Sequence, residues 1–155
     1  MPLLSGHRGP GELDDRLRDA DAVTVELMSQ IIAETCRHYP PICRTRKSVG
    51  IERLIQSGAW TDAALALIDL ELPQWHVRRI VYDESEWHCA LSRQRELPEW
   101  LDQSIETRHP DLPLAILTAF VDAQRSNALS TRTSVPTAPR HANGPYEPLC
   151  CDNFA

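Results

Sequence analysis

The sequence predicts an α+β fold, several helices packed on one antiparallel β-hairpin with disordered termini. Three observations lead there. The stretch from Trp75 to Arg93 alternates in the manner of two strands around a tight turn, the other apolar segments recur at helical spacing, and both ends lose periodicity. At 155 residues the chain suits one domain with room for a core. The boundaries that follow are a flexible stretch over 1–11, a single globular α+β domain over 12–125 and a disordered tail over 126–155.

The elements follow in order. Gly6, Gly9, Pro10 and Gly11 loosen the start. From Leu13 to about His38 the pattern is one helix, in which Val25, Met28, Ile32 and Cys36 form a stripe that Leu27 and Ile31 widen. Asp14, Asp15, Asp19 and Asp21 crowd its early turns, where the helix dipole favours acids, and Pro40-Pro41 stop it. After a basic connector with Arg44, Arg46 and Lys47, Ser48 is expected to cap a short helix that buries Ile51, Leu54 and Ile55 and stops at Gly58. Thr61 is expected to cap the next helix, which runs to about Glu71 with Leu65, Ile68 and Leu72 inward and Pro73 beyond its end.

The hairpin is read by parity. In its second strand the odd residues Trp87, Cys89 and Leu91 form the apolar face, opposed by His88 and Ser92. In the first strand Trp75, Val77 and Val81 are odd too, but Arg79 interrupts them while Ile80 and Tyr82 are even. Two pairings satisfy this. A regular ladder around Asp83-Glu84-Ser85 turns Arg79 toward the core, whereas a β-bulge at Arg78-Arg79 switches parity and leaves a Glu84-Ser85 loop. Burying an unpaired arginine costs several kcal/mol or more, which favours the bulge. The turn argues the other way, since a two-residue loop normally takes Asn-Gly or Gly.

Beyond the hairpin, Pro98 is expected to open a helix with Glu99, Trp100, Leu101 and Ile105, broken at His109-Pro110. Asp111 then caps a helix with Pro113 in its first turn and Leu114, Leu117, Phe120 and Val121 inward, ending near Arg125. From Ser126 onward Ser, Thr, Pro, Asn and Gly dominate.

Composition narrows the function classes. A formal charge of −6 argues against binding the nucleic acid backbone, which needs a basic surface. No run of apolar residues approaches a membrane span, and no secretory signal opens the chain, so a cytoplasmic protein with five reduced cysteines is expected. A zinc site needs close ligand pairs, yet His88 and Cys89 are adjacent on opposite strand faces, Cys36 and Cys43 flank a double proline, and Cys150-Cys151 lie in the tail. No metal or cofactor is therefore expected. Nucleophilic catalysis would fall to Cys89 beside His76 or His88, but its burial argues against reactivity and no G-x-S-x-G motif occurs. Glu84, Glu86, Asp14 and Asp15 read as solvated charge, and no phosphate-cradling glycine loop is present. No catalytic residue is assigned.

One candidate contact remains. Arg78, Arg79, Arg93 and Arg95 gather near one end of the hairpin and suit an anion or an acidic partner, against ordinary pairing with acids such as Glu71, Glu96 and Glu99. The segment Gly58 to Ala123, above all the run from Arg78 to Gln94 (RRIVYDESEWHCALSRQ), resembles small uncharacterised cytoplasmic proteins of α-proteobacteria. The resemblance covers under half of the chain, implies a bacterial cytoplasmic protein and transfers no functional residue. The leading expectation is a non-enzymatic interaction or regulatory module that meets a protein partner or a second copy through the hairpin edge, with Trp60 and Trp100 as exposed aromatics. The alternative is a small-ligand or metal-binding protein, enzymes included, using His76, His88 and Cys89 with the hairpin arginines.

Overall fold

A computed structural model describes residues 10–39, 45–93 and 104–132. In chain order the elements are α1 (Pro10–Asp19), α2 (Val25–Thr35), α3 (Arg46–Gln56), α4 (Trp60–Glu71), β1 (His76–Asp83), β2 (Glu86–Ser92), β3 (Ser104–His109) and α5 (Leu112–Arg132). The strands form one antiparallel sheet in the order β1-β2-β3. The α+β class predicted from the sequence is the one observed.

Helix α5 organises the molecule, packing on β2 and β3 on one side while also meeting α4, α1 and α2. Leu114, Ala115, Ile116, Leu117, Ala119, Phe120, Val121 and Ala123 are all fully buried. This first half of α5 is apolar on nearly every side, as a helix segment inside a fold is, while Asp122 and Arg125 further along are partly exposed. Each of its large side chains contributes about 1.5–3 kcal/mol by leaving water. The Asp111 carboxylate caps this helix as expected, accepting from the Leu114 amide at 3.2 Å. The helix runs on to Arg132, past the expected end near Arg125, and residues 133–155 lie outside the described residues.

Several boundaries differ from those read in the sequence. The expected helix from Leu13 to His38 is two helices, broken over 20–24, where Thr24 caps α2 by accepting from the Leu27 amide. Of its early aspartates, Asp14, Asp15 and Asp19 therefore belong to α1 and Asp21 to the break, and Val25, at the first position of α2, is exposed instead of facing the core. Helix α3 is capped by Thr45, with Ser48 completing a reciprocal capping box three residues later. Helix α4 starts at Trp60, one residue before the expected Thr61 cap. Gly58 stops α3 as predicted, with a φ of 72° that favours glycine.

The largest difference is β3. The sequence pattern sets Ser104 to His109 at the end of a helix opened by Pro98. Residues 94–103 lie outside the described residues, and 104–109 pair with β2 over their whole length. The segment alternates Ile105, Thr107 and His109 with Ser104, Glu106 and Arg108. Thr107 turns toward the helical layer, where its hydroxyl donates to the Ala115 carbonyl at 2.7 Å. His109 accepts from the Asp111 amide at Nδ1 (2.9 Å), tying the end of β3 to the start of α5.

Candidate functional site

The first strand carries two of the four arginines singled out in the sequence, and its geometry begins with the bulge. Val77 pairs with Leu91 and Arg79 with Ala90, so Arg78 is the extra residue and the parity changes there. Ile80 then opposes Cys89 and Tyr82 opposes Trp87, which places Ile80 and Tyr82 on the helix-facing side with Val77 and leaves Val81 on the other face with His88. The two-residue loop Glu84-Ser85 follows, with φ of 48° and 69°. Both values are positive, as a type I′ turn demands, and neither residue is suited to it. Pairing across the strands and cover from α5 override local turn preference.

The bulge decides where Arg79 points. It lies on the face away from α5 and reaches over Ala90 to Glu106 on β3 (Arg79 Nη2 to Glu106 Oε1, 3.1 Å). A small residue at the centre of the row lets the two long side chains meet. Both partners are about half exposed, so the pair is worth little beyond ordering the row. The His88 ring stands at 3.8 Å from the same carboxylate oxygen.

Three of the four arginines expected to gather are described, and Arg79 and Arg93 have different partners. Arg93 donates to Gln74 Oε1 at 3.0 Å at the base of the hairpin, Arg78 is exposed at the bulge, and Arg95 lies outside the described residues. Glu71, expected as a surface partner for these arginines, is buried against Arg37 and His38 instead. Its carboxylate accepts from the amides of Arg37 (3.0 Å) and His38 (2.8 Å) and faces His38 Nδ1 at 3.1 Å. Glu96 and Glu99 fall outside the described residues.

The residues of the ligand or metal alternative do not converge. Cys89 faces the helical layer, while His88 and His76 lie on the opposite side of the sheet. Burial pushes the Cys89 thiol up to about 11. Cys36 lines a cleft of about 480 Å³ with Arg37, Gln124 and Arg125, and its thiol is raised to about 12 by burial first and by the Glu71 charge second. Both cysteines stay protonated at neutral pH, and a thiol is a weak nucleophile. Among the described residues no group of three or more His, Cys, Asp or Glu is placed to hold a metal ion.

No family model matches this chain, and neither a curated protein nor a solved structure is significantly similar to it. No described helix is long and apolar enough to cross a membrane.

What distinguishes β1 is its outer edge. Among the described residues no strand pairs with it. Of the large apolar side chains left exposed, two are adjacent on this strand, Val81 at 42% and Tyr82 at 57%. The Tyr82 ring leans on Trp87, with centroids 5.1 Å apart and planes tilted by 53°. Trp60, expected as an exposed aromatic, packs half-buried against the core, and Trp100 lies outside the described residues. Sequence reasoning missed Glu106 and Thr107 because Pro98 has the marks of a helix start; the alternation of β-branched Ile105 and Thr107 was the available signal.

Proposed function

We propose that the chain is a non-enzymatic interaction module that works by strand addition, accepting an extended segment of a protein partner along the outer edge of β1. The observation that carries this reading is that Val81 and Tyr82, adjacent and both exposed, lie on an edge strand with no described neighbour on its outer side. An exposed edge offers unpaired N–H and C=O groups in a row, and natural proteins usually blunt such edges with charge. Here the centre of the strand is apolar, so the backbone groups are presented beside side chains that favour leaving water.

Hairpin geometry identifies which groups are presented. Asp83 and Glu86 flank the two-residue loop and exchange both backbone bonds, so alternate residues Ile80 and Tyr82 turn their N–H and C=O outward. The test is selection of peptides from a random displayed library against the full chain, followed by amide hydrogen exchange. Enriched peptides are expected to be extended, to protect the Ile80 and Tyr82 amides, and to lose binding to Tyr82→Pro, which removes an outward donor without touching the ladder to β2. Peptides that bind Tyr82→Pro equally well overturn the reading. So does a failure to enrich any peptide when Ile80 and Tyr82 also stay unprotected in concentrated protein.

A further inference from the structure

The strand on which that reading rests has an internal symmetry of charge, and it names the partner. From Arg78 to Glu84 the residues are Arg78, Arg79, Ile80, Val81, Tyr82, Asp83 and Glu84: two cations, three apolar side chains, two anions. We propose that β1 pairs with β1 of a second copy of this chain, antiparallel about a two-fold axis at Val81. The product is a continuous six-stranded sheet across a homodimer.

Several independent constraints select this register. A two-fold interface is isologous, so a surface must be complementary to itself under reversal. Centring the axis on Val81 sets Arg79 opposite Asp83 of the other copy and Ile80 opposite Tyr82, while Arg78 at the bulge and Glu84 in the turn flank the paired stretch with opposite charges. Moving the axis by one residue in either direction sets Arg79 opposite Val81 or Tyr82 opposite itself and gives up the Arg79–Asp83 pair. Backbone parity agrees as well. Ile80 and Tyr82 are the residues whose N–H and C=O face outward, so the Ile80–Tyr82 pairs exchange hydrogen bonds and Val81 meets Val81 at a non-hydrogen-bonded position, where side chains approach closest.

The faces match too. Residues directly opposite each other share a face, which sets Ile80 and Tyr82 on the side carrying Trp87 and sets Arg79, Val81 and Asp83 on the open side. Arg79 already holds Glu106 at 3.1 Å, and a guanidinium has five donors, enough for a second carboxylate. Asp83 is exposed, and its Oδ1 accepts from the Glu84 amide at 3.0 Å. A carboxylate has about four lone-pair sites, so this bond leaves it able to accept from a guanidinium. An edge of this length gives a small interface, so the dimer is weak and forms in the micromolar to millimolar range.

The test is sedimentation velocity on the full chain over about two decades of concentration up to roughly 0.5 mM. Wild type is expected to dimerise, more weakly at high salt. Arg79→Glu and Asp83→Arg, each alone, place like charges opposite one another and are expected to weaken the dimer by about tenfold or more. Mixed one to one they restore it. The carboxylate introduced at position 79 of one copy then faces the guanidinium introduced at position 83 of the other, while the native pair survives on the far side. Circular dichroism shows whether each variant is folded. A position-specific readout needs neither: Val81→Cys puts two thiols about 4.5 Å apart at Cα, within disulfide range, so it oxidises to a covalent dimer while Glu84→Cys does not.

A monomeric wild type at the highest concentration overturns the proposal, as does a dimer that both charge variants leave intact, a mixture that fails to recover, or equal cross-linking at 81 and 84. A monomer whose β1 edge still binds selected peptides removes self-pairing and leaves strand addition standing. A monomer that binds none removes both.

Discussion

Glu71 shows how a single buried carboxylate can be structural and still govern its surroundings. Its side chain is 1% exposed and each oxygen accepts a backbone amide from the segment after α2. Replacing it by Gln substitutes a donor for one acceptor and strands a buried N–H, at a cost of about 1–3 kcal/mol measurable by urea unfolding. The same replacement removes one of the causes that raise Cys36, so its thiol is expected to alkylate faster in Glu71→Gln than in wild type. In wild type a thiol at about 12 has roughly a thousandfold less thiolate than an ordinary cysteine, and iodoacetamide labelling of Cys36 at mildly alkaline pH should be correspondingly slow. Asp122 supplies a pH dependence. Burial raises its pKa, the Arg125 charge opposes this and the Asp14 charge adds to it. A carboxylate raised in the folded state binds its proton more tightly there, so its penalty is absent below the ordinary carboxylate range near about 4 and appears as pH rises through the folded value. Asp122→Asn is therefore expected to raise Tm at neutral pH, with the difference from wild type vanishing in acid. Arg125 keeps its two bonds to Asp14, at 2.8 and 2.6 Å, in that variant.

At the scale of the element, the hairpin is held by pairing and cover despite its turn. Glu84 and Ser85 both occupy positive φ, a conformation that costs about 1 kcal/mol for a side chain other than Asn, Asp or Gly. Replacing them together by Asn-Gly is expected to raise stability by roughly 1 kcal/mol in thermal unfolding without shifting the register. The bulge was legible in the sequence as one of two pairings, because Arg79 broke an otherwise apolar parity; the cost of burying that arginine favoured it, the turn residues argued against it, and the register between β1 and β2 decided it. Strand β3 was not legible in the same way. Pro98 and Glu99 carry the marks of a helix start, and a strand of six residues with one strongly apolar member offers little periodicity to oppose them. Its pairing with β2 and the Thr107 hydroxyl bond to Ala115 are tertiary events, and they decided its conformation.

Across the described residues, α5 packs on one side of the sheet, and no described strand lies along the outer edge of β1. Truncating Phe120, fully buried at the centre of α5, is expected to cost about 3–5 kcal/mol in chemical denaturation, enough to unfold much of a marginally stable domain. The proposed dimer lies on the other side of this balance: it adds pairing at β1 without disturbing the core, so surface charge variants should change association and leave the monomer's stability nearly unaltered. By itself the sequence determined the α+β class, the helical stripes, the inward parity of Trp87, Cys89 and Leu91, and the arginine conflict in β1. Each of these is encoded in local spacing, where a period of two or of about three and a half residues fixes which side chains share a face. Only the tertiary structure decided that 104–109 is a strand, that Glu71 is a buried acceptor, that Arg79 meets Glu106 across Ala90, and that no described strand covers β1. Those outcomes join residues far apart in the chain, and no local period records which distant partner will satisfy a charge, an amide or a strand edge.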